Sequence, residues 1–188
     1  MSAPGDKGDE GRKAGPPIVL VMGVSGSGKT TIGALLAGQL GWTYAEADDF
    51  HPKSNVEKMA AGHPLTDEDR WPWLEAIGRW IDERRAAHEP GVVSCSALKR
   101  AYRDLLRRDR PEVHVAYLDG DRDTIAKRLI ARHGHFFLAT MLDSQFADLE
   151  PPMPDEQVLD VPIEGTPPDV VRRIVDGLGL LPDPPYRR

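Results

Sequence analysis

The chain has 188 residues, with 24 Lys and Arg against 30 Asp and Glu, a formal net charge of −6. That length suits one domain of roughly 150 residues with a small appendage, and 40% hydrophobic with 29% charged residues excludes a wholly disordered or fibrous chain. The acidic balance speaks against a nucleic-acid partner, the single Cys95 rules out an internal disulfide, and no apolar run approaches the length of a membrane span. The expected setting is soluble, reducing and cytoplasmic.

Residues 1 to about 15 mix both charge signs with Gly and Pro and offer almost nothing to bury, which predicts a disordered leader ahead of one domain over 16–182. The apolar run 18–22 reads as a strand buried on both faces. Ile32, Leu35, Leu36 and Leu40 then fall at helical spacing, stopped by Gly41, and a second strand is expected over 43–47. Ser54 is placed to cap a short helix ending near Gly62. Pro72 suits the first turn of a longer helix that carries Trp73, Ile77, Trp80 and Ile81 on one face and closes at Pro90-Gly91. A third strand over 92–95, a basic helix over 98–108 and a fourth strand over 113–118 follow. Helices over 124–132 and 140–149, a last strand over 158–161 and a last helix over 169–178 complete the pattern. Strands alternating with helices predict parallel strands joined by right-handed crossovers, hence a three-layer α/β domain.

Gly23-Val24-Ser25-Gly26-Ser27-Gly28-Lys29-Thr30 fits G-x-x-x-x-G-K-[ST] between a buried strand and an amphipathic helix. Glycines let backbone N–H groups curl around phosphate oxygens, Lys29 sets an ammonium against the β- and γ-phosphates, and the Thr30 hydroxyl suits Mg²⁺. The helix opening at Thr31 adds its positive dipole end. Switches, motors and small kinases share such loops, so the rest of the chain must discriminate. It has no N-K-x-D, and its one D-x-x-G, at 176–179, lies at the end of the last helix. The third strand ends Ser94-Cys95-Ser96 without a carboxylate. A small phosphotransferase is the economical reading. Glu46, Asp48 and Asp49 cluster where the second strand ends, at the edge where open α/β sheets bind ligands. One carboxylate there can accept a hydroxyl proton and another can support Mg²⁺ through water.

These segments together are distinctive. MGVSGSGKTTIG (22–33), ADDFHP (47–52), N-x-x-K-M (55–59), PLTDEDRWPWL (64–74), CSALKRAYRDLLR (95–107), RLIARHGHFF (128–137) and MLDSQFADLEPP (141–152) give a chain that, from 18 to 178, resembles the gluconokinase family. Those small kinases are related to shikimate and nucleoside monophosphate kinases. One departure is that the second strand of the family tends to read D-x-D, whereas Glu46 holds the first acidic position here.

The resemblance implies a parallel five-stranded sheet of the shikimate kinase type with a small helical lid, over about 133–152. It also implies a homodimer and phosphorylation of D-gluconate at its terminal hydroxyl, with ATP as donor and Mg²⁺ as cofactor. Asp48 is then the candidate for the carboxylate at the acceptor hydroxyl. Arg70 and Lys99 are candidates for the substrate carboxylate, because a small anionic sugar acid needs a cationic clamp. His51, Tyr102, His135 and Gln145 match motif positions able to hydrogen-bond the polyol, although His51 and Tyr102 read equally well as braces of a loop or core. Arg128 and Arg132 lie four apart on one helix face, and related kinases use such a pair for adenine and for the transferring phosphates. Trp73 and Trp80 read as core anchors, and Lys99, Arg103 and Arg107 as a row running from substrate to water. Two readings compete with a gluconokinase: a kinase for another small anionic alcohol such as shikimate, and a nucleotide-binding regulator without chemistry.

Overall fold

Every residue of β1 (Ile18–Met22) is fully buried, and its side chains alternate between two separate cores. Val19 and Val21 point into one core, Ile18, Leu20 and Met22 into the other. A strand wanted by apolar partners on both faces takes the middle of a sheet, because β-branched and long aliphatic side chains there find cover above and below. The computed structural model describes residues 15–133 and 138–182, with side chains described for 15–132 and 141–182. The expected leader lies outside the described residues except for Gly15.

β1 is flanked by β3 (Gly91–Ser94) and β4 (Val113–Asp119), and these by β2 (Thr43–Glu46) and β5 (Leu159–Pro162). All neighbouring pairs are parallel, in the order β2-β3-β1-β4-β5. Seven helices are described: α1 (Lys29–Leu40), α2 (Lys53–Ala60), α3 (Asp67–Ala86), α4 (Arg100–Arg107), α5 (Arg122–His133), α6 (Leu138–Asp148) and α7 (Pro167–Leu178). Ile32, Leu36, Ile125, Leu129, Val171 and Ile174 put α1, α5 and α7 over the face that Val19 and Val21 present. Trp73, Ile77, Ile81 and Leu106 put α3 and α4 over the other. This is the predicted three-layer α/β fold.

Most helix starts shift by about two residues from the sequence reading, and two differ in how they are capped. α3 begins five residues before Pro72, at a capping box in which Thr66 Oγ1 accepts from the Asp69 amide and Asp69 Oδ2 accepts from the Thr66 amide at 2.8 Å. That reciprocal pair satisfies two orphan donors, and Pro72 is carried in the second turn instead of opening the helix. α2 starts at Lys53, after Pro52, and Ser54 is its second residue; the fixed φ of proline sets the entry in place of a side-chain cap. At the other end of α1, Gly41 does stop the helix, in a left-handed conformation with φ 71°.

The in-register pairing aligns the carboxyl ends of the strands. Val21 lies opposite Ser94, and Ser94 opposite Glu46. Three segments therefore leave the sheet side by side: the glycine loop after β1, the acidic turn after β2, and the Cys95-to-Lys99 loop after β3.

Candidate active site

The loop after β1 is shaped by glycines in conformations that other residues avoid. Gly26 and Gly28 have φ of 83° and 101°. A Cβ on Gly26 would lie 2.5 Å from Leu129 Cγ, so α5 itself closes over the loop. Inside it, Ser27 Oγ donates to the Val24 carbonyl at 2.7 Å, and Lys29 Nζ donates to the same carbonyl at 3.0 Å. Burial pulls the Lys29 ammonium below its usual pKa, and the nearby Asp48 and Glu46 carboxylates oppose that shift. No side chain caps the start of α1, so its first N–H groups are available to an anion. Gln145, a candidate polyol contact, also meets the loop: its Oε1 accepts from the Ser25 amide at 3.2 Å.

Beside the loop opens a cavity of about 280 Å³, into which Gly28, Thr31, Arg128 and Arg132 face. Its far wall is Ile163, Gly165, Pro167 and Val170, which sequence reasoning did not single out. The available signal was the Gly165-Thr166-Pro167 start of α7, whose Thr166–Asp169 capping box fixes that wall. Arg128 donates to the Ile163 carbonyl at 2.9 Å, which links α5 to the same wall.

The acidic turn follows directly from β2, which ends one residue earlier than expected. Ala47–Phe50 form a single 3-10 turn that leaves Asp48 and Asp49 exposed. Trp73 Nε1 donates to the Ala47 carbonyl at 2.6 Å, so the core tryptophan also fixes the backbone immediately before Asp48. His51 stacks on Trp73 with ring centroids 4.4 Å apart. Asn55 Nδ2, oriented by its bond to the Asp69 carbonyl, faces His51 Nδ1 at 3.3 Å, which assigns the ring proton to Nε2. Burial lowers the His51 pKa and favours that neutral ring. His51 is thus a brace as well as a candidate contact.

Glu46 closes the gap between turn and loop. Its Oε2 accepts from Thr30 Oγ1 at 2.7 Å and from the Tyr44 hydroxyl at 2.9 Å. Ser94 Oγ donates to the Lys29 carbonyl at 2.8 Å and lies 3.1 Å from the Tyr44 hydroxyl. Burial pushes the Tyr44 phenol up to about 12, so it remains a donor. A threonine hydroxyl and a carboxylate on hard oxygens are the donor set that Mg²⁺ accepts alongside phosphates. The residues fit that ion.

Across the turn, α3 and the loop after β3 gather the cations. Lys99 Nζ donates to both Asp67 oxygens at 3.0 and 3.2 Å, Arg70 Nη1 donates to the Tyr102 hydroxyl at 2.9 Å, and Tyr102 donates to Asp67 Oδ1. Asp148 of α6 lies 3.8 Å from Arg70. The Tyr102 and Lys99 hydrogen bonds hold the Asp67 carboxyl below its usual range, and Asp67 in turn raises Lys99. Arg70, Lys99 and Tyr102 therefore meet around one carboxylate, the chemistry expected of a clamp for an organic acid.

Arg103 does not continue that row toward water. It is 2% exposed and pairs with buried Glu156, while its Nη1 donates to the Ala97 and Leu98 carbonyls and its Nη2 to the Glu150 carbonyl. Helical spacing placed it on the Lys99 face, but α4 turns that face under the chain after α6. Cys95 is buried at the end of β3, and burial raises its thiol to about 12, which suits packing. His135 lies outside the described residues, as does the side chain of His133.

The chain matches the family model described as shikimate kinase over residues 25–149. It is 46% identical to the gluconokinase of Gluconobacter oxydans (strain 621H) over 160 residues, covering 85% of this chain and 90% of that one. It is 48% identical to the thermosensitive gluconokinase of Escherichia coli (strain K12) over 144 residues, 77% of this chain and 76% of that one. Among solved structures, a gluconokinase from Sinorhizobium meliloti 1021 superposes with a TM-score of 0.78 at 43% identity, covering 89% of this chain and 94% of that one. With a phosphate loop, an acidic turn and a cationic cluster leaving adjacent strands of this sheet, the chain belongs to the gluconokinase family, kinases that transfer phosphate to an alcohol.

Proposed function

We propose that the protein transfers the γ-phosphoryl group of ATP to the terminal hydroxyl of D-gluconate, giving 6-phosphogluconate and ADP. The observation that carries this reading is the Arg70–Lys99–Tyr102 cluster, which gathers around the Asp67 carboxylate, with Arg70 acting on His51 just after the acidic turn. In this reading the gluconate carboxylate takes the place of Asp67 at that cluster, and the far hydroxyl is the one that meets Asp48.

Each group then has a task. Backbone N–H groups of 23–31 and Lys29 hold the phosphates and offset the negative charge that spreads over the transferring group. Arg128 and Arg132 take the adenine side of the cavity and the phosphates. Mg²⁺, bound with the nucleotide, would neutralise charge on the β- and γ-phosphates, and Thr30 with Glu46 would hold it. Asp48 accepts the proton of the acceptor hydroxyl, and Trp73 keeps the turn that carries it in place. His51, Tyr102 and Gln145 orient the polyol or its surroundings, with His135 as a further candidate. The segment 133–152 serves as the lid that excludes water, a competing acceptor. Its end is tied to the substrate side where the Glu150 amide donates to the Leu98 carbonyl at 2.8 Å.

Among the described residues no helix is long and apolar enough to cross a membrane. A cytoplasmic setting and a homodimer belong to the reading, and sedimentation tests the second. The decisive experiment is ADP release in a coupled assay across sugar acids and related alcohols. Turnover should depend on D-gluconate, and Asp48→Asn should lower it at least about a hundredfold while sparing ATP binding. Brisk turnover on another alcohol with none on gluconate would overturn the reading.

A further inference from the structure

Tyr44 has no part in the reaction described so far, yet its hydroxyl is aimed at the metal-side carboxylate. Tyr44 and Glu46 lie two apart on β2 and so share one face of the strand. Glu46 Oε2 receives two hydroxyl donors, Thr30 at 2.7 Å and Tyr44 at 2.9 Å, and no described residue donates to Oε1. One oxygen carries both donors, and its twin receives none from the described residues.

The approach of Tyr44 is built into the fold. A Cβ on Gly33 of α1 would lie 2.8 Å from Tyr44 Cε2 and 2.2 Å from Ser94 Oγ, so only glycine lets the ring and the serine fit beneath the helix. Ser94 sits 3.1 Å from the phenol and bonds the Lys29 carbonyl, which ties the same cluster to the start of α1. Glutamate also carries one more rotatable bond than aspartate and loses more rotamer freedom when ordered. A second donor on Oε2 offsets that loss.

We propose that Tyr44 is a positioning residue for Glu46: with Thr30 it pins Oε2, so that Oε1 faces the water shell of the Mg²⁺ that accompanies the nucleotide. This rests on the reading that Glu46 supports the ion through water. The pairing is matched in length, because an aspartate at 46 would withdraw the carboxylate from the Tyr44 hydroxyl.

The test measures ATP binding to the full chain by calorimetry, across Mg²⁺ concentrations and in EDTA, for the wild type, Y44F, E46Q, E46D and Y44F/E46D. Phenylalanine keeps the ring under Gly33, so Y44F should melt within a few degrees of wild type. Y44F should raise the half-saturating Mg²⁺ about tenfold, the scale of one hydrogen bond to a charged group, and leave ATP affinity in EDTA within about twofold. E46D should raise it as well, and adding Y44F to E46D should change nothing further. Wild-type Mg²⁺ dependence in Y44F, with that dependence lost in E46Q, overturns the role of Tyr44 and leaves Glu46 standing. Equal losses for Y44F with and without Mg²⁺ overturn it in favour of packing. Unaltered Mg²⁺ dependence in E46Q removes the reading of Glu46, and this inference with it.

Discussion

Replacing Glu156 by Gln keeps the shape of the buried pair and removes one charge from it. Arg103 and Glu156 have side chains 2% and 3% exposed and meet through Nη2 and Nε at 2.9–3.3 Å. Breaking a buried pair from one side costs about 3–5 kcal/mol, because the remaining charge stays desolvated. Arg103 keeps three carbonyl acceptors, at Ala97, Leu98 and Glu150, each at 3.0 Å, which places the loss at the lower end, about 3 kcal/mol. For a chain of this size each kcal/mol lowers Tm by about 2–4 °C, so Glu156→Gln should melt about 6–12 °C early. The same carbonyls set the loop that delivers Lys99, so the KM for gluconate should rise several-fold while that for ATP moves little. Circular dichroism melts and initial rates on one preparation read both effects. A Tm within 2 °C of wild type would show that the three carbonyls alone satisfy the guanidinium, and would refute the argument from the buried pair.

Three further outcomes follow from the geometry. Gly26→Ala forces a φ of 83° on a residue with a Cβ and drives that atom into Leu129, so affinity for an ATP analogue should fall more than about tenfold; unchanged affinity would mean that α5 yields freely. Trp73→Phe keeps a ring against His51 but leaves the buried Ala47 carbonyl without its donor, a loss of about 1–3 kcal/mol. Its kcat should fall more than its KM for ATP rises, and equal changes in both would deny the turn its role. The Lys58 hydrogen bond and the Thr66 amide hold Asp69 down to about 2, below its ordinary 3.8. A depressed carboxylate stabilises above its unfolded value and loses that contribution as pH falls, so the wild type should lose Tm between about pH 4 and pH 2 more steeply than Asp69→Asn. Parallel acid slopes would remove Asp69 as a cause.

Much of this site is written in local sequence. The phosphate loop needs a strand end, a glycine-rich turn and a helix start, all within 22–33, and spacing alone identifies it. The acidic turn is legible for the same reason. Family resemblance points to Arg70, Lys99 and Tyr102, but their meeting around Asp67 depends on α3 crossing α4, a relation between residues about thirty apart that no short pattern encodes. Arg103 shows the limit of periodicity: i, i+4 spacing gives a helix face but not what covers it. Gln145 shows another, because its partner Ser25 lies 120 positions away. The start of α3 departs from the sequence signal for a different reason. Pro72 is a strong local signal, and the weaker Thr66-x-x-Asp69 pattern outcompetes it because two backbone donors gain partners at once.

The pairing of β1, β3 and β2 acts as a ruler. Strands in a sheet stand about 4.8 Å apart, so the phosphate loop and the acidic turn leave their strands about 10 Å from each other, with the small residues Ser94, Cys95 and Ser96 in the interval. That interval is set by main-chain ladders, which side-chain substitutions leave intact. The Arg70, Lys99 and Tyr102 cluster proposed for the acceptor comes from α3, α4 and the loop before α4, outside the ladder. A lineage can therefore exchange one acceptor alcohol for another by rebuilding that cluster, while the spacing between phosphate loop and acidic turn is inherited unchanged.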